Sequence, residues 1–205
     1  MSSHRDGDLL GQDLCFLDVE TTGSLFGYHE IIDIAALRAA PDASIPRGTW
    51  HKRIRPTHPE RISSYARDLN GYTPELWASA EEWTASLWNQ FVTFVKGCVP
   101  VCHNPSFDRA FITLAAAKHD VLELGLDSHW IGTESLAWPL YRQGLLPSLS
   151  LASLCSFLEV DVEPRPHTAV GGVLTCWRVY QVLMSRLQKG PECEGLSLKD
   201  IHNPR

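Results

Sequence analysis

The run Leu14-Cys15-Phe16-Leu17-Asp18-Val19-Glu20 is apolar until its end, where it takes up two carboxylates, and Thr21-Thr22-Gly23 then breaks it. A short apolar run bounded by a turn signal predicts a buried strand. Side chains two apart on a strand point the same way, so Asp18 and Glu20 share one face at the strand's end. Carboxylates that close repel, and burying both without compensation is costly. A divalent cation removes the conflict, and Mg²⁺ favours a few carboxylates together with waters and phosphate oxygens. The plainer alternative, a solvated pair of surface acids, fits poorly in a strand that is otherwise apolar.

A second strand is expected over 31–39, whose only polar side chains are Asp33 and Arg38, and a third over 49–55. Pro41, Pro46, Pro56 and Pro59 punctuate the links, which suggests an antiparallel meander. The period then changes. Trp83, Leu87, Phe91, Phe94 and Val95 recur at helical spacing and predict a helix over 81–96, ended by Gly97 and Pro100. Residues 99–102 read as a brief strand. Asn104 and Pro105 suit the cap and first turn of a following helix, with Phe107, Phe111 and Leu114 as its buried stripe. A fifth strand is expected near 128–131 and helices near 134–143 and 150–158, the first shortened or kinked by Pro139. A Pro-rich loop over 161–166 leads to a last helix over 168–187. Strands first, then strand and helix alternating, predict an α/β fold: a mixed five-stranded sheet with helices packed on it. The expected domain is 13–188, between a flexible N-terminus (1–12) and a polar tail (189–205).

A chain of 205 residues, 44% hydrophobic and 20% charged, suits one sizeable globular domain. It has no apolar run long enough to cross a membrane, and residues 1–13 lack the apolar core of a signal peptide, so a cytoplasmic location is expected. The cysteines at 15, 98, 102, 155, 176 and 193 form no CxxC pair and read as buried free thiols. Cys98 and Cys102 beside His103 hint at zinc, but they lie where a strand begins. A net charge of −6 argues against a broad electrostatic clamp on nucleic acid. It does not exclude a nuclease, because carboxylates recruit cations, and those cations supply the positive charge that faces a phosphate.

Asp108 falls near the first turn of its helix, where a carboxylate is favoured, and by itself reads as capping. His167, between the Pro-rich loop and the last helix, by itself reads as structural. In series they are more specific. Asp18-Val19-Glu20-Thr21-Thr22-Gly23 resembles the first motif of the DnaQ-like (DEDDh) 3′→5′ exonucleases. His103-Asn104-Pro105-Ser106-Phe107-Asp108, followed by Phe111, resembles the second, and His167-Thr168-Ala169-Val170 the start of the third. The resemblance covers residues 13–187. It implies an RNase H-like fold and hydrolysis of phosphodiester bonds at the 3′ end of DNA or RNA with two Mg²⁺ or Mn²⁺. Carried over by position, Asp18, Glu20 and Asp108 are metal ligands, and His167 is the general base that completes the catalytic set. Thr21, Thr22 and Gly23 sit under the terminal nucleotide, His103 and Asn104 join them as substrate-binding residues, and Phe26 or Tyr28 stacks on the last base unless packing claims it. The implied partner is single-stranded nucleic acid with a free 3′ end. No motif after Leu187 supports a polymerase or repair partner, and no membrane is implied.

The sequence departs from that pattern at one place. The family carries an Asp five residues after the motif histidine, and here that position is Gly172, with no acid anywhere over 168–187. Losing an outer-shell partner already costs ~10–100-fold in metal affinity or activity, and losing a ligand costs at least that. Asp161 or Glu163 in the preceding loop is a candidate substitute. Two function classes therefore stand: an exonuclease impaired at Gly172, or a non-catalytic nuclease-like module that binds nucleic-acid ends or a partner protein.

Overall fold

The computed structural model of the chain describes residues 9–162 and 167–188. Its strands are β1 (Leu14–Thr21), β2 (Ile31–Ala39), β3 (Pro46–Arg53), β4 (Val99–Cys102) and β5 (Ile131–Gly132), in the spatial order β3-β2-β1-β4-β5. β1, β2 and β3 form an antiparallel meander, while β4 and β5 run parallel to β1. The helices are α1 (Ser64–Asn70), α2 (Ala85–Val95), α3 (Pro105–Ala117), α4 (Thr133–Arg142), α5 (Leu151–Leu158) and α6 (Ala169–Gln188). This is the mixed α/β sheet with packed helices that the pattern predicts.

Strand alternation sorts β1 between two cores. Cys15, Leu17 and Val19 pack with Leu87, Trp88, Phe91 and Val95 of α2 and with Phe111, Ile112 and Ala116 of α3. Leu14 and Phe16 face the other way, onto Ala169, Val173, Cys176 and Tyr180 of α6. Asp18 and Glu20 continue that second face, so both acids emerge on the side of α6. β4 pairs with β1 only as far as Phe16 opposite Val101, and β1 then runs on past its neighbour. The carboxyl ends of parallel strands are where open α/β sheets keep their crevices.

Several boundaries move for identifiable reasons. β3 begins at Pro46 instead of 49, since the first residue of an edge strand needs no amide N–H. α2 begins at Ala85 instead of 81, because Thr84 caps it through Leu87 N at 3.1 Å while Glu81 bridges to Ile54. β5 is Ile131–Gly132 and not 128–131, because the Asp127 carboxylate accepts from His129 N at 2.8 Å and turns the chain there. Pro139 stays inside α4 without ending it. α1, capped by Ser63 through Ala66 N, has no counterpart among the predicted elements.

The tryptophans of the 77–88 stretch belong to the core. Trp77 donates to Ile32 O at 2.8 Å, and Trp83 stacks on Trp88 with ring centres 4.1 Å apart. Cys15, Cys98, Cys102, Cys155 and Cys176 are buried free thiols. Cys193, the expected polar tail over 189–205 and the expected N-terminal segment apart from 9–12 lie outside the described residues. Among the described residues, no helix is long and apolar enough to cross a membrane.

Candidate active site

Asp108 reaches the sheet from α3. Asn104 caps that helix, its side chain accepting from Ser106 N at 3.1 Å, and Pro105 fills the first turn. This start aims Asp108 at the stretch of β1 that β4 leaves uncovered. There the carboxylate accepts from Val19 N at 3.2 Å, taking the place a strand neighbour would fill. Asp108 is buried, with 4% of its surface exposed. Burial pushes its pKa up to about 7, and the charge of half-buried Glu134 at the start of α4 adds to the rise, while hydrogen bonds from Val19 N and the Cys102 thiol oppose it.

Asp18 shares this environment. The charges of Asp18 and Asp108 both help raise the Cys102 and Cys176 thiols, whose chief perturbation is burial. The half-buried Glu20 stands one alternation further along, opposite Asp33 in the register of β1 and β2. Among the described residues, no three Asp, Glu, His or Cys side chains are close enough to cage an ion as they stand. The donor chemistry nevertheless fits a hard divalent cation: three carboxylates within an apolar frame, one of them deeply buried and held toward its neutral form.

Gly172 lies in the first turns of α6, against β1. A Cβ built on it would fall 2.3 Å from Asp18 Oδ2 and 2.5 Å from Asp18 Cγ. The space of a side chain at this position is thus occupied by the Asp18 carboxylate, which rests directly on the backbone of α6. Glu163 lies outside the described residues.

His167 is half-buried just ahead of α6, and its N–H donates to Leu69 O at 3.0 Å. The start of α6 is fixed by two side-chain acceptors. Thr168 Oγ1 accepts from Gly171 N at 3.1 Å, and Asp33 Oδ2 accepts from Ala169 N at 3.1 Å. The other carboxylate oxygen of Asp33 lies 2.6 Å from His51 Nε2. Asp33 is buried, and an anion at a helix N-terminus is stabilising. No role was read for it in the sequence. The available signal was a lone acid within an apolar strand, which must find partners when buried.

The turn after β1 is internally bonded. Thr21 Oγ1 donates to Gly23 O at 2.8 Å, and Thr22 Oγ1 accepts from Glu30 N at 2.9 Å. Both hydroxyls therefore serve the turn in this structure. Asn70 of α1 supports it from below, donating to Thr21 O at 3.1 Å, while its buried Oδ1 has no hydrogen-bond partner among the described residues. His103 is half-buried, with Nδ1 2.9 Å from Thr133 Oγ1, and burial lowers its pKa. Phe26 is 52% exposed and leans on Phe107 and Phe111, with ring centres 6.1 and 5.2 Å away.

Gly23 has a steric reason. A Cβ there would meet the His29 ring at 2.5–2.7 Å, and that ring is fixed by Leu25 N donating to Nδ1 at 2.8 Å. Gly23→Ala is expected to cost ~1–3 kcal/mol, in the range of overpacking, and to lower the thermal midpoint by several degrees. An unchanged melting curve would mean that the His29 ring moves aside freely.

Residues 15–180 match the model of the family described as Exonuclease (RNase_T). The chain is 28% identical over 189 residues to a DNA polymerase III PolC-type of Caldanaerobacter subterraneus subsp. tengcongensis, covering 92% of this chain and 13% of that protein. It is 33% identical over 113 residues to the PolC-type polymerase of Streptococcus pyogenes, covering 55% of this chain and 7% of the other. The chain thus spans a small part of these curated relatives. In fold it resembles E. coli Exonuclease I in complex with a dT13 oligonucleotide, with a TM-score of 0.75 at 16% identity over 87% of this chain and 42% of that one. It also resembles the cell-death related nuclease CRN-4, with a TM-score of 0.68 at 15% identity over 85% and 64% of the respective chains.

Proposed function

The chain belongs to the exonuclease family whose model spans residues 15–180, and from that membership we propose that it is a metal-dependent 3′→5′ exonuclease acting on single-stranded DNA. The observation that carries this reading is the docking of Asp108 on the open edge of β1, within the electrostatic reach of Asp18 and with its charge disfavoured by burial. The PolC-type relatives are DNA polymerases by name, and Exonuclease I is described with a dT oligonucleotide, which supports DNA as the substrate.

In this reading Asp18, Glu20 and Asp108 would hold two Mg²⁺ or Mn²⁺, which would supply positive charge at the scissile phosphate. His167 takes the proton from the attacking water as general base. Asp33 and Thr168 keep its backbone in place through the first turn of α6. The Thr21-Thr22-Gly23 turn, braced by Asn70 and Glu30, forms a rigid floor under the terminal nucleotide, and His103 and Asn104 flank it. Phe26 offers an exposed ring on which the last base stacks. A polymerase or repair partner is consistent with the relatives and adds nothing to the chemistry.

One observation favours a second reading, a module that binds strand ends without cutting: Asp18 fills the space of the missing carboxylate at Gly172. One experiment separates them. Single-stranded DNA and RNA oligonucleotides, labelled at the 5′ or the 3′ end, are incubated with Mg²⁺ or Mn²⁺ and resolved on a gel. The exonuclease reading expects a ladder from 5′-labelled DNA, immediate release of mononucleotide from the 3′ label, and loss of both in the His167→Ala variant. Binding without any shortening in either metal would establish the second reading.

A further inference from the structure

A groove of about 520 Å³ opens beside the 23–29 turn, lined among others by Trp83 and Phe111, by the cationic side chains of Arg55, Arg61 and Lys118, and by the carboxylates of Glu30 and Glu82. Its volume falls in the range of small-ligand sites, roughly 300–1,000 Å³. We propose that it is a second nucleotide-binding site, which holds an upstream nucleotide of the strand whose 3′ end lies at Asp108. The inference rests on the exonuclease reading and adds to it the length of strand engaged.

Three observations carry it. The first is continuity. Phe111 on α3 and Lys118, the residue that ends it, lie on one side three and ten residues beyond Asp108, so that side runs from Asp108 into the groove over about 15 Å at the helical rise of 1.5 Å per residue. Phe26 bridges the two regions, because it touches Phe107 beside Asp108 and Phe111 in the groove wall.

The second is charge. The whole chain carries −6, yet this groove gathers cations. Arg55 is neutralised by Glu82 at 3.2 Å, and Glu30 is bound by Thr57 and by His58 N. Lys118, in contrast, is exposed and makes no ion pair among the described residues. Arg61 lies over the Tyr28 ring at 4.7 Å, pairs loosely with exposed Glu60 at 3.8 Å and donates from Nη1 to Tyr28 O at 3.4 Å. Arg55, Arg61 and Lys118 thus outnumber Glu30 and Glu82 by one positive charge in the lining, and exposed Lys118 is available to a phosphate oxygen.

The third is a stacking surface. The partly buried Trp83 lies flat on Trp88 and near the His119 ring, and it lines the groove beside Phe111. An aromatic floor with a cationic rim suits a base and its phosphate, and such stacking tolerates any sequence.

The test uses the full chain and a double variant, Arg61→Glu with Lys118→Glu. Two substrates are compared in Mn²⁺: a 12-nucleotide single-stranded DNA, and the p-nitrophenyl ester of thymidine 5′-monophosphate, which is too short to reach the groove. Binding of the 5′-labelled 12-mer is followed separately by fluorescence anisotropy in EDTA. The expected result is a KM for the 12-mer raised at least tenfold more than that for the ester, and 12-mer binding weakened at least tenfold. Arg178→Glu, on the exposed side of α6, serves as the charge control and leaves both near the parent. Equal effects on the two substrates, or equal effects of Arg178→Glu, would overturn the site and leave the exonuclease reading intact. If the parent binds the 12-mer without cutting, the catalytic reading falls, and the anisotropy comparison alone decides the groove. If the parent neither cuts nor binds, both fall.

Discussion

Asp108→Asn is expected to eliminate nuclease activity while making the metal-free protein more stable above neutral pH. The carboxyl is held at about 7 in the fold and titrates near 4 in an unfolded chain. Between roughly pH 4 and 7 the folded state keeps a proton that the unfolded state has lost, so stability falls as pH rises through that window and stays reduced above it. Asn carries no charge at any pH and can still accept from Val19 N. At pH 8 the gain is on the order of 2–4 kcal/mol, and it shrinks toward zero near pH 4. Melting curves in EDTA from pH 4 to 8 measure it. A variant less stable than the parent at pH 8 would show that Asp108 is comfortable as an anion, which removes the electrostatic case for a cation. Adding Mn²⁺ should raise the midpoint of the parent by binding linkage and that of the variant much less, with activity at least ~100-fold lower in the variant.

Gly172→Asp carries the second large effect, and the contact between Asp18 and α6 makes its sign depend on metal. The new Cβ would fall 2.3 Å from the Asp18 carboxylate, so Asp18 must rotate away. Without cations, two carboxylates then crowd one site, and the variant should melt below the parent. With Mn²⁺ the order should reverse, and exonuclease activity should rise ~10–100-fold, the scale of a restored ligand-sphere group. Gly172→Ala separates the contributions, since it displaces Asp18 without adding an acid and should therefore lower activity. If Gly172→Ala and Gly172→Asp behave alike in Mn²⁺, space and not charge sets the activity, and the ligand role of that position is lost.

Much of this was legible in the sequence, for physical reasons that differ by element. β2 is found at its predicted bounds because nine residues with one apolar purpose leave little choice of register. The acids of β1 could be placed on one face by alternation alone. α1 was not legible, because its seven residues bury only Ala66 and Asn70 and so show no apolar period. Asn70 went unnoticed with it. The absence of an acid at Gly172 was plain, but its consequence was not. That Asp18 lies in the vacated space depends on how closely α6 packs on β1, which no local pattern encodes. Asp33 and Glu134 were visible as letters only. The partner of Asp33, Ala169 N, is 136 residues away, and Glu134 acts on Asp108 through space.

Those separations also set when the site can exist during folding. Asp108 reaches Val19 across 89 residues and Ala169 reaches Asp33 across 136, so each closure confines a long loop before any contact repays it. Contacts of that span form late and slow a chain's collapse to its final state. A ribosome-bound chain still lacking α6 would carry Asp18, Glu20, Asp108 and His167 but neither the Ala169 N–H that Asp33 accepts nor the Gly172 backbone that lies against Asp18. The acids and the histidine are thus synthesised before the helix whose docking fixes their surroundings, and on the exonuclease reading the onset of activity would report that docking.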